Sequence, residues 1–444
     1  MNARNRTSRW PLLCLVSLAG TMATARVARA DLFDYVNKPD PAFSWKLKQK
    51  TVNATGTLYD IEMVSQVWQG ITWTHQLQVF LPKDVKLSST LFLWNQGGKA
   101  STGSIAMMMT LADKMKAPVA FLYGIPNQPL LDGKKEDALI AETFVRYLKT
   151  GDASWPLLFP MVKSLIRAMD VLQAFSRQEW KVQITHFIVS GASKRGWTTW
   201  LTGAADRRVK AIAPLVIDTL NMRAQLPHQL KSYGKYSEMI RDYTQRGLVP
   251  MPDTPRAKKL WAMVDPWVYR EKLTMPTLII NGANDPYWTV DSLNLYWNDL
   301  PGAKKRVLYV PNAGHNLKQK RDNGKEDNMR ALNTLAAFAR HQIIDNPMPK
   351  LEWRHFEEDG RFCLRVQAKS SPVGARLWVA DAPTRDFRKV RWAKQAVPLV
   401  KGAFLAQVDA PAKGYRAFFA EMEFRDNDIP YTLSTQIRVV EAKR

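Results

Sequence analysis

The stretch HFIVSGASKRGWTTW, residues 186–200, decides the fold. Phe187, Ile188 and Val189 read as a short buried strand, Gly191 to Gly196 as a sharp turn, and Trp197 onward as helix. A serine in such a turn, here Ser193, is held with its hydroxyl outward beside the N–H groups of a helix start. A free serine hydroxyl is a poor nucleophile at neutral pH, so this display is useful only with a base and a group that orients the base. The turn therefore asks for an acid and a histidine at the ends of later strands.

The flanking sequence supplies the sheet. Leu91–Trp94 reads as a strand, followed by NQGG and a Met-rich helix over 104–116. Val119–Tyr123, Ala211–Ile217, Thr277–Ile280 and Val307–Val310 are further short apolar runs. Such runs separated by helices predict a parallel sheet covered on both faces. Upstream, TGTLYDIEMVSQVW and ITWTHQLQVFL alternate apolar and polar residues around Gln69-Gly70, predicting a hairpin of antiparallel edge strands. Helical insertions are expected at about 126–170 and 219–268. The second carries Tyr233, Tyr236, Tyr243 and Trp261, and forms either a lid over the site or ordinary peripheral helices. Beyond Pro347-Met348-Pro349, runs such as RFCLRVQA, ARLWVAD and YRAFFAEMEF predict a smaller, all-β, sandwich-like domain over 349–444. Within it, RDFRKVRWAK, read on a strand, either gathers an anion-binding patch or protects a solvated edge with charge.

The chain has six histidines. His315, in VLYVPNAGHN, follows a strand end and lies at the same carboxyl edge as Ser193, which makes it the candidate base. His75, His186 and His341 are more simply structural; His228 falls in the second insertion and His355 opens the C-terminal region. Asp285, in GANDPYW after the strand PTLIING, is the candidate acid, with Asp218 after the preceding strand as its competitor. The order nucleophile, acid, base, each at a strand end, is far more specific than any one member. The oxyanion hole is expected from the amide of Lys194 and a second donor at Gly97 or Gly98, where glycine permits close backbone approach.

On GASKRGW, PTLIINGANDPYW and VPNAGHN, with WNQGG and PNQPL, the chain resembles the PhoPQ-activated pathogenicity-related family of the α/β-hydrolase superfamily, from about residue 35 to the end. The resemblance implies an α/β-hydrolase fold over 31–348 and a serine hydrolase with Ser193, Asp285 and His315 as its triad. The serine motif departs from G-x-S-x-G by placing Arg195 where the last glycine would stand. Arg195 then either binds substrate, anchoring a carboxylate, or forms a structural ion pair.

The N-terminus reads as a signal peptide over 1–30: Arg4, Arg6 and Arg9, a short run of mostly apolar and small residues, then Ala28-Arg29-Ala30 as a cleavage site. The mature chain is thus expected to be periplasmic or secreted, with no integral membrane segment. Cys14 falls within the signal, leaving Cys363 alone and, by its alternation with Arg361 and Arg365, turned toward a core. The formal net charge is +24, of which the five arginines of residues 1–30 carry five, leaving +19. That balance suits an anionic envelope surface as partner, or simply keeps the protein in solution; nucleic acid is not expected, and neither is a metal or cofactor. Function reduces to two classes. One is an exported hydrolase cleaving an ester or amide of a small-molecule or peptide substrate, and the other a non-catalytic envelope-binding protein on a hydrolase scaffold.

Overall fold

The structure, a computed structural model, describes residues 32–302, 304–320, 323–400 and 403–442; the expected signal segment, with Cys14, lies outside them. The chain enters its central sheet through β1 (Ser44–Asn53), β2 (Gly56–Trp68) and β3 (Ile71–Pro82), an antiparallel meander. It continues with β4 (Thr90–Asn95), β5 (Val119–Leu122), β6 (His186–Ala192), β7 (Val209–Leu215), β8 (Thr277–Gly282) and β9 (Lys305–Val310). Across the sheet the order is β1-β2-β3-β5-β4-β6-β7-β8-β9, parallel from β5 through β9. The helices are α1 (Leu32–Asn37), α2 (Thr102–Met115), α3 (Glu136–Thr150), α4 (Leu158–Phe175), α5 (Lys194–Ala205), α6 (Met222–Tyr233), α7 (Arg241–Thr244), α8 (Pro255–Val264) and α9 (Met329–Ile343).

Every residue of β4, β5 and β8 is buried, because both faces of the sheet are covered. Alternation along β4 divides the core. Leu91 and Leu93 pack with Leu165 and Met169 of α4, while Phe92 and Trp94 pack with Met108 and Leu111 of α2 and Phe338 of α9. Each such side chain taken out of water stabilises the fold by about 1.5–3 kcal/mol. This is the α/β-hydrolase arrangement, and it brings the carboxyl ends of β6, β8 and β9 to one edge.

One expectation is corrected at a sheet margin. The 55–81 hairpin forms, with left-handed Gln69 and Gly70 at its turn, but it is not the edge, because β1 pairs outside it. SWKLKQKTVN has no buried position, so its sequence offers no apolar face to read. At the other margin, strands Gly374–Ala382, Tyr415–Asp426 and Ile429–Ser434 continue the same sheet, Ser434 standing opposite Val307 of β9. A three-stranded sheet, Leu351–Glu358, Arg361–Ala368 and Ala403–Val408, covers them as a second layer. Leu364, Val366 and Phe404 share one buried cluster there with Phe418 and Met422, and Cys363 is a free, fully buried thiol. Residues 383–392, holding most of RDFRKVRWAK, form an irregular segment and no strand. The correction has a physical cause: side chains of the neighbouring loops take up the backbone groups that a ladder would have used.

Candidate active site

Ser193 closes β6 and opens α5. Its backbone sits at φ 58°, ψ −128°, a region that costs a non-glycine residue roughly 1–3 kcal/mol. The surroundings hold it there: Ser193 N–H donates to Leu215 O at 2.9 Å, and Trp197 N–H donates to Ser193 O at 3.0 Å. The helix must also lie hard against the sheet. A Cβ on Gly191 would stand 2.9 Å from Arg195 O, and one on Gly196 2.6 Å from Ile217 Cγ2. The glycine missing from position 195 is therefore supplied, for packing, one residue later.

His315 and Asp285 meet across the loops after β9 and β8. His315 Nδ1 lies 2.8 Å from Asp285 Oδ2, and the other carboxylate oxygen accepts the Tyr287 N–H at 2.9 Å. The Tyr287 ring stacks on the imidazole, centroids 4.2 Å apart, fixing its plane. His315 Nε2 is buried and makes no hydrogen bond. His315, Ser193 and Lys194 line one cavity. Asp218 does not reach this site; the Tyr296 hydroxyl and Asn281 Nδ2 donate to it, and burial pushes its pKa up to about 6. His228 pairs with Asp291 at 2.7 Å, and His75 is buried between Ser65 and Tyr123 O.

Much of the remaining lining is apolar and aromatic: Trp197, Ile217, Met222, Ile240, Tyr243 and Trp261. Met222 to Trp261 come from the second insertion, which thus roofs the cavity. Trp197 is locked in turn by donating its indole N–H to Val264 O at 2.6 Å. The roof is tied down at both ends by Asp265. Its carboxylate accepts N–H bonds from Asn221 and Met222 at the start of α6 and from Trp267 beyond α8, at 2.8–3.1 Å.

Gly97 and Gly98 are placed differently from expectation, and Arg195 takes the second of its two expected roles. Arg195 is a structural residue. Its Nη1 and Nη2 donate to the two Glu136 oxygens at 2.6 and 2.7 Å, its Nε donates to Ile125 O at 2.5 Å, and it does not line the cavity. With every donor group engaged, the ion pair is realised and the substrate anchor is not. Gly97 packs against that guanidinium, 2.1 Å from Arg195 Nη2 to an added Cβ, so its bareness admits Arg195 and not a substrate. Gly97 and Gly98 line a separate polar cavity with Lys48, Asp60 and Glu62. Lys194 remains at the site. Its amide begins α5 next to Ser193, while its buried ammonium lies 3.0 Å from Glu136 and 3.1 Å from Asp137. Burial opposes ionisation of Glu136, yet the hydrogen bonds and charge of Arg195 and the charge of Lys194 prevail and hold it far below the usual carboxylate range.

Sequence singles out Ser193, Asp285 and His315 as candidates, and does not single out Glu136, Asp137 or Tyr287. Tyr287 stands two residues after Asp285, and that adjacency was the available signal. Glu136 lies in an insertion with no motif to mark it. Among the described residues, no group of three or more His, Cys, Asp or Glu is placed to hold a metal ion, and no helix is long and apolar enough to cross a membrane.

The sequence profile of a family described as PhoPQ-activated pathogenicity-related protein matches residues 32–388. The autocrine proliferation repressor protein A of Dictyostelium discoideum is 32% identical over 451 residues, covering 93% of this chain and 88% of that protein. Among solved structures, acetyl xylan esterase 1 from Thermoanaerobacterium sp. matches with a TM-score of 0.50 at 16% identity, over 70% of this chain and 91% of the esterase. That likeness concerns the fold.

Proposed function

We propose, for a chain that belongs to the PhoPQ-activated pathogenicity-related protein family, that it is a serine hydrolase acting on esters or amides with an apolar acyl group. One observation carries the reading: an imidazole bonded to Asp285, its Nε2 buried and unpartnered, lines the same cavity as Ser193. His315 Nε2 takes the Ser193 proton as Oγ attacks the carbonyl carbon, and Asp285 stabilises the resulting imidazolium. The carbonyl electron pair moves to oxygen, where the Lys194 amide and the positive end of α5 stabilise it, a donor of the kind worth about 10²–10³ in kcat. His315 then protonates the leaving group. Water repeats the sequence on the acyl-enzyme, releasing the acid and restoring Ser193.

The aromatic roof supports an apolar acyl group, and the paired charges of Lys194 and Asp137 leave the wall without a free ion for a charged one. Export, with reaction in the periplasm or outside the cell, is supported by the arginine-led N-terminus and its A-x-A site. The mature chain's charge favours substrates at an anionic envelope surface.

The test is a series of aryl esters of increasing acyl length with the matched anilides, offered to wild type, Ser193→Ala and His315→Ala. Wild type is expected to turn over the longer-chain or aromatic esters, and both variants to lose that turnover. No turnover on any member, with Ser193→Ala binding the esters as wild type does, would favour the binding-protein alternative.

A further inference from the structure

The irregular segment 383–392 reaches out of the C-terminal layers and grips the loops carrying the acid and the histidine. Asn284, immediately before Asp285, donates its side-chain amide to Phe387 O at 3.1 Å and to Val390 O at 2.8 Å. Asn312, three residues before His315, pairs twice with Trp392: its Nδ2 donates to Trp392 O at 2.9 Å and its Oδ1 accepts Trp392 N–H at 2.8 Å. The two loops are also laced together, Ala283 N–H to Val310 O at 2.9 Å and Asn284 N–H to Ala313 O at 3.0 Å. The gripping segment is itself anchored. Trp392 is almost wholly buried against Phe419, centroids 5.2 Å apart, and Phe419 packs on Tyr309 of β9 at 5.7 Å. Arg385 bonds Asp291 at 2.7 Å, and Arg388 lies 3.9 Å over the ring of Tyr233, whose hydroxyl donates to Trp288 O.

We infer that Asn284 and Asn312 are positioning residues through which the C-terminal region sets the Asp285–His315 geometry, so that this region is part of the catalytic apparatus. The inference rests on the triad reading above. Neither asparagine lines the cavity; each acts through its loop. Their bonds are short-range and directional, so a few tenths of an ångström at either loop moves the carboxylate relative to the imidazole. A merely adjacent domain would not need to bond both loops through the same ten residues.

The experiment compares Asn312→Gly, Asn284→Ala and Arg416→Gln in the full chain. Asn312 has φ 55°, so glycine removes the Trp392 pair without imposing strain. Arg416→Gln breaks the Arg416–Asp381 ion pair of the same C-terminal layer, which bonds neither Asn284 nor Asn312, and controls for general loosening. Steady-state kinetics on the best aryl ester, the pH profile of fluorophosphonate labelling and thermal melting are recorded for each. Asn312→Gly and Asn284→Ala are expected to lose at least about tenfold in kcat with KM within about twofold. Their labelling is expected to be slower than that of wild type across the pH profile, because the imidazole is less well placed to take the serine proton. Arg416→Gln is expected to keep the wild-type kcat and profile. Either asparagine variant folding with unchanged kcat and pH profile would overturn the inference, as would an equal loss in Arg416→Gln. Should Asn312→Gly not fold, Asn284→Ala decides alone. Failure of wild type to label at Ser193 would instead sink the triad reading beneath it.

Discussion

The two sides of the cavity are held by different forces. On the serine side, Glu136 accepts from Arg195 and Lys194, with Asp137 completing a compact group of charges. On the acid and histidine side, the loops are held by neutral amide-to-backbone bonds from Asn284 and Asn312. A charged cluster with two buried cations is strong while intact and costly when one member is removed, since the partners are left without compensation. A set of neutral bonds contributes about 1 kcal/mol each and fails gradually. The serine side should therefore respond sharply to charge changes, and the opposite side to small geometric ones.

The largest effect belongs to the acid. Asp285→Asn keeps the shape of the loop but leaves Nδ1 without a carboxylate to fix the tautomer, so kcat should fall by about 10³–10⁴ with little change in melting temperature. Steady-state kinetics with a thermal melt checks both halves; a fall under tenfold would mean that His315 is oriented by something else.

Next comes Glu136→Gln, which removes the charge joining Arg195 and Lys194. Melting should drop, by the equivalent of about 2 kcal/mol after allowance for the partial exposure of Glu136. The pH dependence follows from the sign of the shift. A carboxyl whose folded pKa lies below its ordinary value stabilises fully above about pH 4.5 and loses that contribution as pH falls through the folded value. The gap in stability between wild type and Glu136→Gln should thus be full at pH 7 and narrow on acidification. A gap that widens toward acid would contradict the ion-pair account.

The smallest contrast lies between neighbours. Gly97→Ala pushes a methyl into the Arg195 guanidinium, whereas an added Cβ at Gly98 meets nothing within 4 Å. Urea unfolding should show Gly97→Ala destabilised by about 1–3 kcal/mol and Gly98→Ala within about 0.5 kcal/mol of wild type. Equal behaviour of the pair would show that Gly97 is not packed against Arg195.

The legible parts of the fold were those whose chemistry is local. Ser193 sits where a strand, a turn and a helix follow one another within fifteen residues, and Asp285 and His315 each follow an apolar run. Their meeting could be expected because parallel strands deliver their carboxyl ends to one edge. What sequence could not supply was long-range pairing. Nothing local ties Glu136 to Arg195 or Asn312 to Trp392, and both contacts cross between elements that carry no shared motif. RDFRKVRWAK misled for a related reason. Its basic residues suggested a charged surface, while Asp386, Asp291 and the face of Tyr233 take up Arg388 and Arg385. β1 was missed because an exposed edge strand has no apolar face to betray it.

The claim that joins these observations is that Ser193 is the nucleophile His315 activates. It is tested most directly by treating the protein with a fluorophosphonate and locating the adduct by peptide mass spectrometry. The account predicts one phosphonyl group on Ser193 in wild type, and none in Ser193→Ala or, over the same time, in His315→Ala. An unmodified wild type, or an adduct on any other residue, would contradict it.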